Sequence, residues 1–437
     1  MKQNNILENS GFWILGIFSA TPLLLWIFTA PLIPQISNLN VLIISMGNVA
    51  GLCGFAMFSL VIILSSRLKI FDKLFRGINE SYTVHHTLGG LAFCLLLFHP
   101  LLLAFGYFST SFKGMAQFLL PGAYWSQNFG IIGLSLMIAA LVITFYAKLK
   151  YQIWKFTHKF MGVAFIFAFL HTFLIGSDVA SNQPLKIYLF ILGIAAIIAY
   201  FYRTLFPNFL VQTYGYAVKN VKAFEDKIWE IEFAPAGGNK ISFNAGQFAF
   251  IKFYSKALSK ELHPFSFSSA PGQPLRIAIK ESGDYTNKIS GLKAGDFAKF
   301  EGPFGVFNFQ KYSNKKQIWI AGGVGITPFL SMLRSLPVKD SDYKIDLYYS
   351  AKNENCFAFK REIEEISRAS KNLNVKFWDT SKEKFISADA ICKTTQDFLD
   401  RDIFVCGPPV LMQSLKTQFL KFGFFKKNIH IEEFQLY

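Results

Sequence analysis

"HHTLGGLAFCLLLFHP", residues 85–100, sets histidines at both ends of an almost entirely apolar run. The run reads as transmembrane helix, and an ionisable side chain held at membrane depth is costly enough to mark a functional site by default. His85 and His99 stand 14 residues apart, which in an α-helix is a rise of ~21 Å and a rotation only ~40° short of four turns. Both rings therefore leave nearly the same face. A second pair, His158 and His171, is 13 apart, a rise of ~20 Å.

The run belongs to the third of six apolar stretches, at about 11–33, 42–66, 82–106, 128–148, 157–176 and 185–205, each near the ~20 residues that cross a bilayer. A chain of 437 residues that is 52% hydrophobic is too apolar to be wholly soluble. The first stretch carries Pro22 and five more follow it, so it reads as a retained span and not as a signal peptide. Arg67, Lys69, Lys73 and Arg76 follow the second span, and Lys148, Lys150 and Lys155 the fourth; the other connections hold only Lys113 and Lys186. That alternation predicts an N-terminus and a post-206 segment in the cytoplasm; a bacterial inner membrane is the expected location. The net charge of +16 suits loops lying on an anionic leaflet. The basic residues are spread over both halves without a binding motif, which excludes nucleic acid as a partner. The five cysteines form no CxxC pair, so neither a disulfide framework nor a cysteine-held metal is indicated.

Spans three and five run in the same direction, so His85 is expected level with His158 and His99 level with His171. Two levels, each with two facing imidazoles, are what two bis-histidine haems stacked across a bilayer require. "HHTLG" from 85 and "HKFMG" from 158 both place glycine four residues after histidine. The match selects His85 over His86, with Gly89 and Gly162 expected to let a flat macrocycle approach the backbone. Thirteen ideal residues rotate ~220°, so His158 and His171 share a face only if span five is tightened or kinked. The alternative is four histidines that hydrogen-bond between helices or line a proton path.

After Arg203 the pattern becomes one of short strands, "TYGYAVKNV", "KIWEIEF", "GQFAFIKFY", "PFSFSSA", "LRIAIKES" and "DFAKFEGPFG", which predict a small antiparallel barrel. Strands "QIWIAGG", "KIDLYYS", "NVKFWDT", "DIFVCGP" and "NIHIEEF" then alternate with helices, as in a parallel nucleotide-binding sheet. The expected fold class is therefore a six-helix all-α transmembrane bundle, a six-stranded antiparallel β-barrel and an α/β parallel-sheet domain, bounded at 1–206, 207–312 and 313–437.

Motifs sit on this frame. "HPFSFSSAP" from 263 offers Ser266 between aromatics, suited to the reactive edge of a flavin. "ESGDYT" from 281 offers Gly283 and Thr286 in a turn able to receive a pyrophosphate, with Ile279 and Lys280 at the end of the preceding strand. "AGGVGITP" from 321 places a helix N-terminus behind glycines, where phosphate binds. "CGPP" from 406 ends a later strand at the same edge.

In this order and spacing the motifs resemble the flavocytochrome b superfamily of ferric reductases and NADPH oxidases, over essentially all of residues 10–437. The resemblance implies FAD held by His263, Pro264, Phe265, Ser266, Gly283 and Thr286. It implies a nicotinamide nucleotide held by Gly322, Gly323, Gly325, Ile326, Thr327, Pro328, Cys406, Gly407 and Pro408. It also implies two b-type haems on His85 with His158 and on His99 with His171. The ending "HIEEFQLY" resembles a version in which Glu432 and Phe434 cover the flavin, leaving Tyr437 the lesser candidate; Ser266, Cys406 and Phe434 are then nearest the chemistry. Ser350 and Lys352 stand where relatives meet the 2′-phosphate of NADPH, which inclines the reading to NADPH over NADH.

The implied activity is NAD(P)H oxidation with electrons carried through FAD and two haems to oxygen or a ferric chelate outside. Phe165, midway along span five, reads as packing between the two levels. A donor to a separate periplasmic enzyme or to quinone is the second reading, and a haem transporter or sensor with a reductase attached the third. No calcium-binding loop or regulatory tail is visible, so activity is expected to be constitutive.

Overall fold

The computed structural model describes residues 2–29, 38–106, 108, 111–147, 149, 151–176, 178–337, 341–395 and 397–433. It divides into two compact units, Met1–Val211 and Gln212–Tyr437.

In the first unit the apolar stretches are helical because in lipid each peptide group must find its partner within its own segment. Helices α1 (Lys2–Thr29), α2 (Leu39–Leu64), α3 (Ile78–Phe105), α4 (Trp125–Tyr146), α5 (Tyr151–His158), α6 (Phe160–Leu174) and α7 (Gln183–Tyr200) supply six stretches long and apolar enough to cross a membrane, α5 and α6 sharing one of them. α2 lies at the centre, packed along α1, α3 and α7, with Ala56 and Ser59 fully buried. The sixth stretch runs past Tyr200 through a π-helical turn, Phe201–Leu205.

The fifth stretch carries the distortion that its histidine spacing demands. The helix breaks at Lys159, where Lys159 N donates to Phe156 O (3.2 Å) and Gly162 N to Lys159 O (3.1 Å). These i→i−3 bonds wind the chain faster than an α-helix and change the phase between His158 and the helix that carries His171.

The second unit holds two sheets. β1 (Tyr214–Phe224), β2 (Ile228–Pro235), β3 (Phe248–Tyr254), β4 (Leu262–Ser266), β5 (Leu275–Lys280) and β6 (Phe297–Phe304) form an antiparallel sheet in the order β4-β3-β6-β1-β2-β5. Just beyond β4, Phe267 bridges to Ile277 of β5, so the two edge strands approach each other. One face is closed by Phe233, Phe253, Phe267 and Phe300, all at or below 2% exposure, each worth ~1.5–3 kcal/mol of burial. β7 (Lys316–Gly322), β8 (Lys344–Ala351), β9 (Leu373–Asp379), β10 (Asp402–Cys406) and β11 (Ile429–Glu432) form a parallel sheet in the order β11-β10-β7-β8-β9. Its strands are apolar on both faces, as a sheet covered by helices requires. Helices α8 (Ile326–Ser335), α9 (Lys360–Ala369) and α10 (Pro409–Lys421) follow β7, β8 and β10.

Candidate functional site

The structure brings the membrane histidines together as two pairs. The ring centroids of His85 and His158 are 6.4 Å apart, and those of His99 and His171 are 6.2 Å apart. An imidazole nitrogen sits about 2.0–2.1 Å from a metal ion and about 1.1 Å from its own centroid, so two rings on opposite sides of one ion have centroids about 6.3 Å apart. Both pairs match that separation. Among the described residues no cluster of three or more His, Cys, Asp or Glu is placed to hold a metal.

Three of the four rings are oriented from behind. Nδ1 of His85 lies 3.0 Å from Val61 O, that of His99 2.8 Å from Gly47 O, and that of His171 2.7 Å from Ser126 O. A carbonyl accepts only, so each Nδ1 carries the proton and each Nε2 keeps its lone pair for the space between the rings, the arrangement a metal-binding histidine uses. His158 Nδ1 has no such partner and is positioned by stacking on Trp154 (5.5 Å, 23°). His86 is exposed, while the His85 ring faces α2. Phe165, 1% exposed, stacks on Phe55 (5.4 Å) and meets Phe58 edge-on (5.2 Å). A cavity of ≈300 Å³ at the level of His99 and His171 is lined by both of them and by Phe55 and Phe58.

The glycines act differently from expectation. A Cβ on Gly162 would collide with the Tyr200 ring, so Gly162 makes room for α7 and not for a macrocycle, and one on Gly89 would meet only Val61 at 3.8 Å. The glycines that touch the histidines are Gly51, whose Cβ would come 2.6 Å from His99 Nδ1, and Gly130, whose Cβ would come 2.8 Å from His171 Nδ1. Sequence reasoning missed both.

In the second unit the His263 ring stacks on Tyr285 (3.9 Å, 29°) and its Nε2 lies 3.0 Å from Glu261 Oε2. That contact joins the segment holding Pro264, Phe265 and Ser266 to the turn holding Gly283 and Thr286. Burial, with Glu261 nearby, raises the pKa of the Tyr285 phenol. Thr286 Oγ1 accepts from Ser282 N at 3.0 Å and Asn287 N donates to Gly283 O at 2.9 Å, fixing the turn. Ile279 points into the sheet core, and the Lys280 ammonium pairs with Asp226.

At the parallel sheet, β7 ends at Gly322, a 3₁₀ turn covers Gly323–Gly325, and α8 begins at Ile326. Gly323 has φ +55°, and Thr327 Oγ1 donates to Val324 O at 2.8 Å. A Cβ on Gly325 would strike the Cys406 carbonyl, and one on Gly407 would lie 3.0 Å from Gly322 Cα. The glycines thus let the loops after β7 and β10 meet backbone to backbone at the carboxyl edge, with Pro328 and Pro408 beside them. Cys406 pairs in register with Glu432, and both side chains are buried. Burial, with Glu432 alongside, pushes the Cys406 thiol pKa up, so it is a neutral thiol at pH 7. A Cβ on Gly305 would stand 3.5 Å from Glu432 Oε2 and 3.1 Å from the ring of Phe248, which pairs with Ser266. Gly305 thus has Glu432 on one side and Phe248, the strand partner of Ser266, on the other, and Cys406 lies in register with Glu432. Ser350 pairs with Gly322, while Lys352 is exposed just past β8. Phe434 and Tyr437 lie outside the described residues.

A positioning group absent from the sequence reading joins the two sheets. Arg334 of α8 grips Glu362 with Nε (2.6 Å) and Nη2 (2.8 Å), and its Nη1 reaches Glu230 of β2 (2.7 Å) and Ser268 O (2.9 Å). Ser331 Oγ donates to Ser269 O at 2.7 Å. The helix that opens at the glycine loop is thereby tied to the strand end that carries Ser266.

This division of motifs agrees with three family models: a ferric reductase like transmembrane component over residues 50–169, an FAD-binding domain over 213–318 and an oxidoreductase NAD-binding domain over 319–417. The chain has the flavocytochrome b or ferric reductase-like architecture, a transmembrane component joined to a ferredoxin reductase-type module. Among curated proteins it is 28% identical over 254 residues to a flavohemoprotein of Bacillus cereus (52% of this chain, 61% of that protein). It is 29% identical over 188 residues to flavohemoprotein B of Dictyostelium discoideum (39% and 44%). The chain therefore spans less than two thirds of these relatives. Among solved structures, the flavohem-like FAD/NAD binding domain of nitric oxide dioxygenase from Vibrio cholerae O1 biovar El Tor is 22% identical, with a TM-score of 0.44, over 50% of this chain and 97% of that one. Ferredoxin-NADP+ reductase from Plasmodium falciparum gives 22%, 0.43, 50% and 95%.

Proposed function

We propose that the chain moves electrons from cytosolic NAD(P)H across a bacterial inner membrane to an acceptor on the other side, in the three parts 1–206, 207–312 (an antiparallel barrel) and 313–437. The observation that carries the reading is the pair of imidazole pairs at 6.4 Å and 6.2 Å, both at the separation of a shared metal ion. His85 with His158 and His99 with His171 would each hold a b-type haem. FAD and the two haems, when bound, supply the conversion of a hydride into single electrons and their passage through the bundle.

The chain's own residues set the conditions. The carbonyls of Val61, Gly47 and Ser126 hold three imidazoles in the metal-binding tautomer. Ser266 offers a hydroxyl to the flavin edge, the buried Cys406 thiol and Glu432 bound the nicotinamide side of the site, and the α8 N-terminus behind Gly322–Gly325 receives the phosphates. Lys352 supports NADPH over NADH. The acceptor on the other side would take its electron from haem held by His99 and His171, and oxygen or a ferric chelate fits that role.

Anaerobic addition of NADPH, then NADH, to purified protein with FAD and haem tests the reading by the haem spectrum. Rapid reduction, then reoxidation by air with superoxide formed, supports an oxidase; reoxidation faster by ferric chelate supports a ferric reductase. Absence of bound haem, or haem that never reduces, overturns it.

A further inference from the structure

The cavity at the level of His99 and His171 has one charged wall. Of the described residues that line it, Asp178 alone carries a formal charge, the others being apolar, amide, hydroxyl or imidazole. Asp178 opens the short helix Asp178–Ser181, and two donors from other helices hold its Oδ2: Trp26 Nε1 of α1 at 2.6 Å and Asn48 Nδ2 of α2 at 3.2 Å. Trp26 is 6% exposed, so the carboxylate is fixed from within the bundle and is not a freely swinging surface group. All three residues lie outside the stretch 50–169 that matches the transmembrane family model. The arrangement joins α1 and α2 to the short helix Asp178–Ser181.

A negative charge built into the wall of a reducing site acts on any charged molecule that comes to collect an electron. We propose that Asp178 is a specificity-determining residue of the electron-acceptor site, favouring neutral and cationic acceptors and disfavouring anionic ones such as carboxylate chelates of iron. The inference rests on the reading that His99 and His171 hold the haem nearest the acceptor. In the step itself one electron leaves the reduced protein and one acceptor gains it, ferric becoming ferrous or oxygen becoming superoxide, with no proton transferred. Lys113 and Lys186 are exposed on helices beside this end and do not line the cavity. Their charge acts at longer range and is screened first by salt.

The test uses the full chain in lipid nanodiscs, loaded with haem, reduced anaerobically and mixed with hexaammineruthenium(III), ferricyanide or oxygen. Asp178→Asn keeps an oxygen for Trp26 and Asn48 and removes the charge. One unit charge about 10 Å from a trivalent ion changes its local concentration about tenfold in water. The variant should therefore accelerate reoxidation by ferricyanide about tenfold, slow that by hexaammineruthenium(III) about as much, and leave oxygen nearly unchanged. Both shifts should shrink as salt rises, and Asp178→Glu should restore the wild-type order. At equilibrium, a redox titration of Asp178→Asn should raise one of the two haem midpoint potentials and leave the other in place. Unchanged ratios among the three acceptors, or a uniform fall in all three with both potentials unmoved, would overturn the inference and leave the haem reading standing. Wild-type protein without a bis-histidine haem spectrum would overturn that reading and this one together.

Discussion

Replacing Gly51 with alanine tests how the membrane site is held. The new Cβ would lie 2.6 Å from His99 Nδ1 and 2.8 Å from Cε1, where ordinary contact begins at 3.4 Å. The ring must then retreat by ~0.8 Å, which stretches its 2.8 Å hydrogen bond to Gly47 O beyond useful length. Losing that bond costs about 0.5–1.5 kcal/mol, and the overpacking about 1–3 kcal/mol. Together they amount to about 1.5–4.5 kcal/mol, or roughly 10- to 1600-fold weaker haem retention at this level. Gly89→Ala is the control, since its Cβ would meet nothing nearer than Val61 at 3.8 Å. The assay is haem content per chain after washing with a haem-scavenging protein, with a redox titration of what remains. Gly51→Ala should lose one haem and keep the other, and Gly89→Ala should keep both. A Gly51→Ala protein that retains both haems at wild-type rates would show that the His99 contact does not orient a ligand.

His171→Ala should remove one haem and leave the other with its spectrum intact, whereas His86→Ala should remove neither; pyridine haemochrome titration decides. Arg334→Ala leaves Glu230 and Glu362 without their shared partner and should destabilise the reductase unit by ~3–5 kcal/mol, read as a lowered flavin-release temperature, with Arg334→Lys recovering only part because it cannot grip Glu362 with two nitrogens. The Cys406 thiol has its pKa raised in the folded state, by burial first and Glu432 second, above the ordinary value of 9.0. Its contribution to stability is therefore complete below pH 9.0 and declines as the pH rises above it, because the unfolded thiol ionises first. Thermal melts from pH 8 to 10.5 should steepen less in Cys406→Ala than in wild type. Lys352→Ala should raise the KM for NADPH about tenfold and leave that for NADH unchanged, and equal effects on both would remove Lys352 from the 2′-phosphate site.

Much of this was legible because hydrophobic period is a local property. Six apolar stretches became six helices long and apolar enough to cross a membrane, and the change to period two and then to alternating strand and helix became the two sheets with their strands in place. The histidine pairing followed from rise per residue alone, and the needed distortion in span five turned up at Lys159. Arg334 was not legible, since its partner Glu230 is 104 residues away and nothing in either neighbourhood announces the other. Trp26, Asn48 and Asp178 were hidden for the same reason.

The misassigned glycines have a more specific cause. Within an α-helix the carbonyl of residue n is covered by the residue at n+4, whose N–H it accepts. A ring that donates to that carbonyl from a neighbouring helix must pass over the Cβ of residue n+4. His99 donates to Gly47 O and crowds Gly51; His171 donates to Ser126 O and crowds Gly130. In both cases the accepting carbonyl and the glycine are four residues apart, so glycine is needed on the helix that accepts and not on the helix that carries the histidine. His85 donates to Val61 O, whose n+4 residue is Ser65, the cap where α2 ends. Val61 O accepts from Ser65 N as well (3.2 Å), so here a serine and not a glycine stands at n+4. The rule accounts for the glycines at the level of His99 and His171 and for the indifference of Gly89, which stands on a helix that carries histidine. It makes α2 and α4, which carry no histidine, the helices that set the direction of three of the four imidazoles.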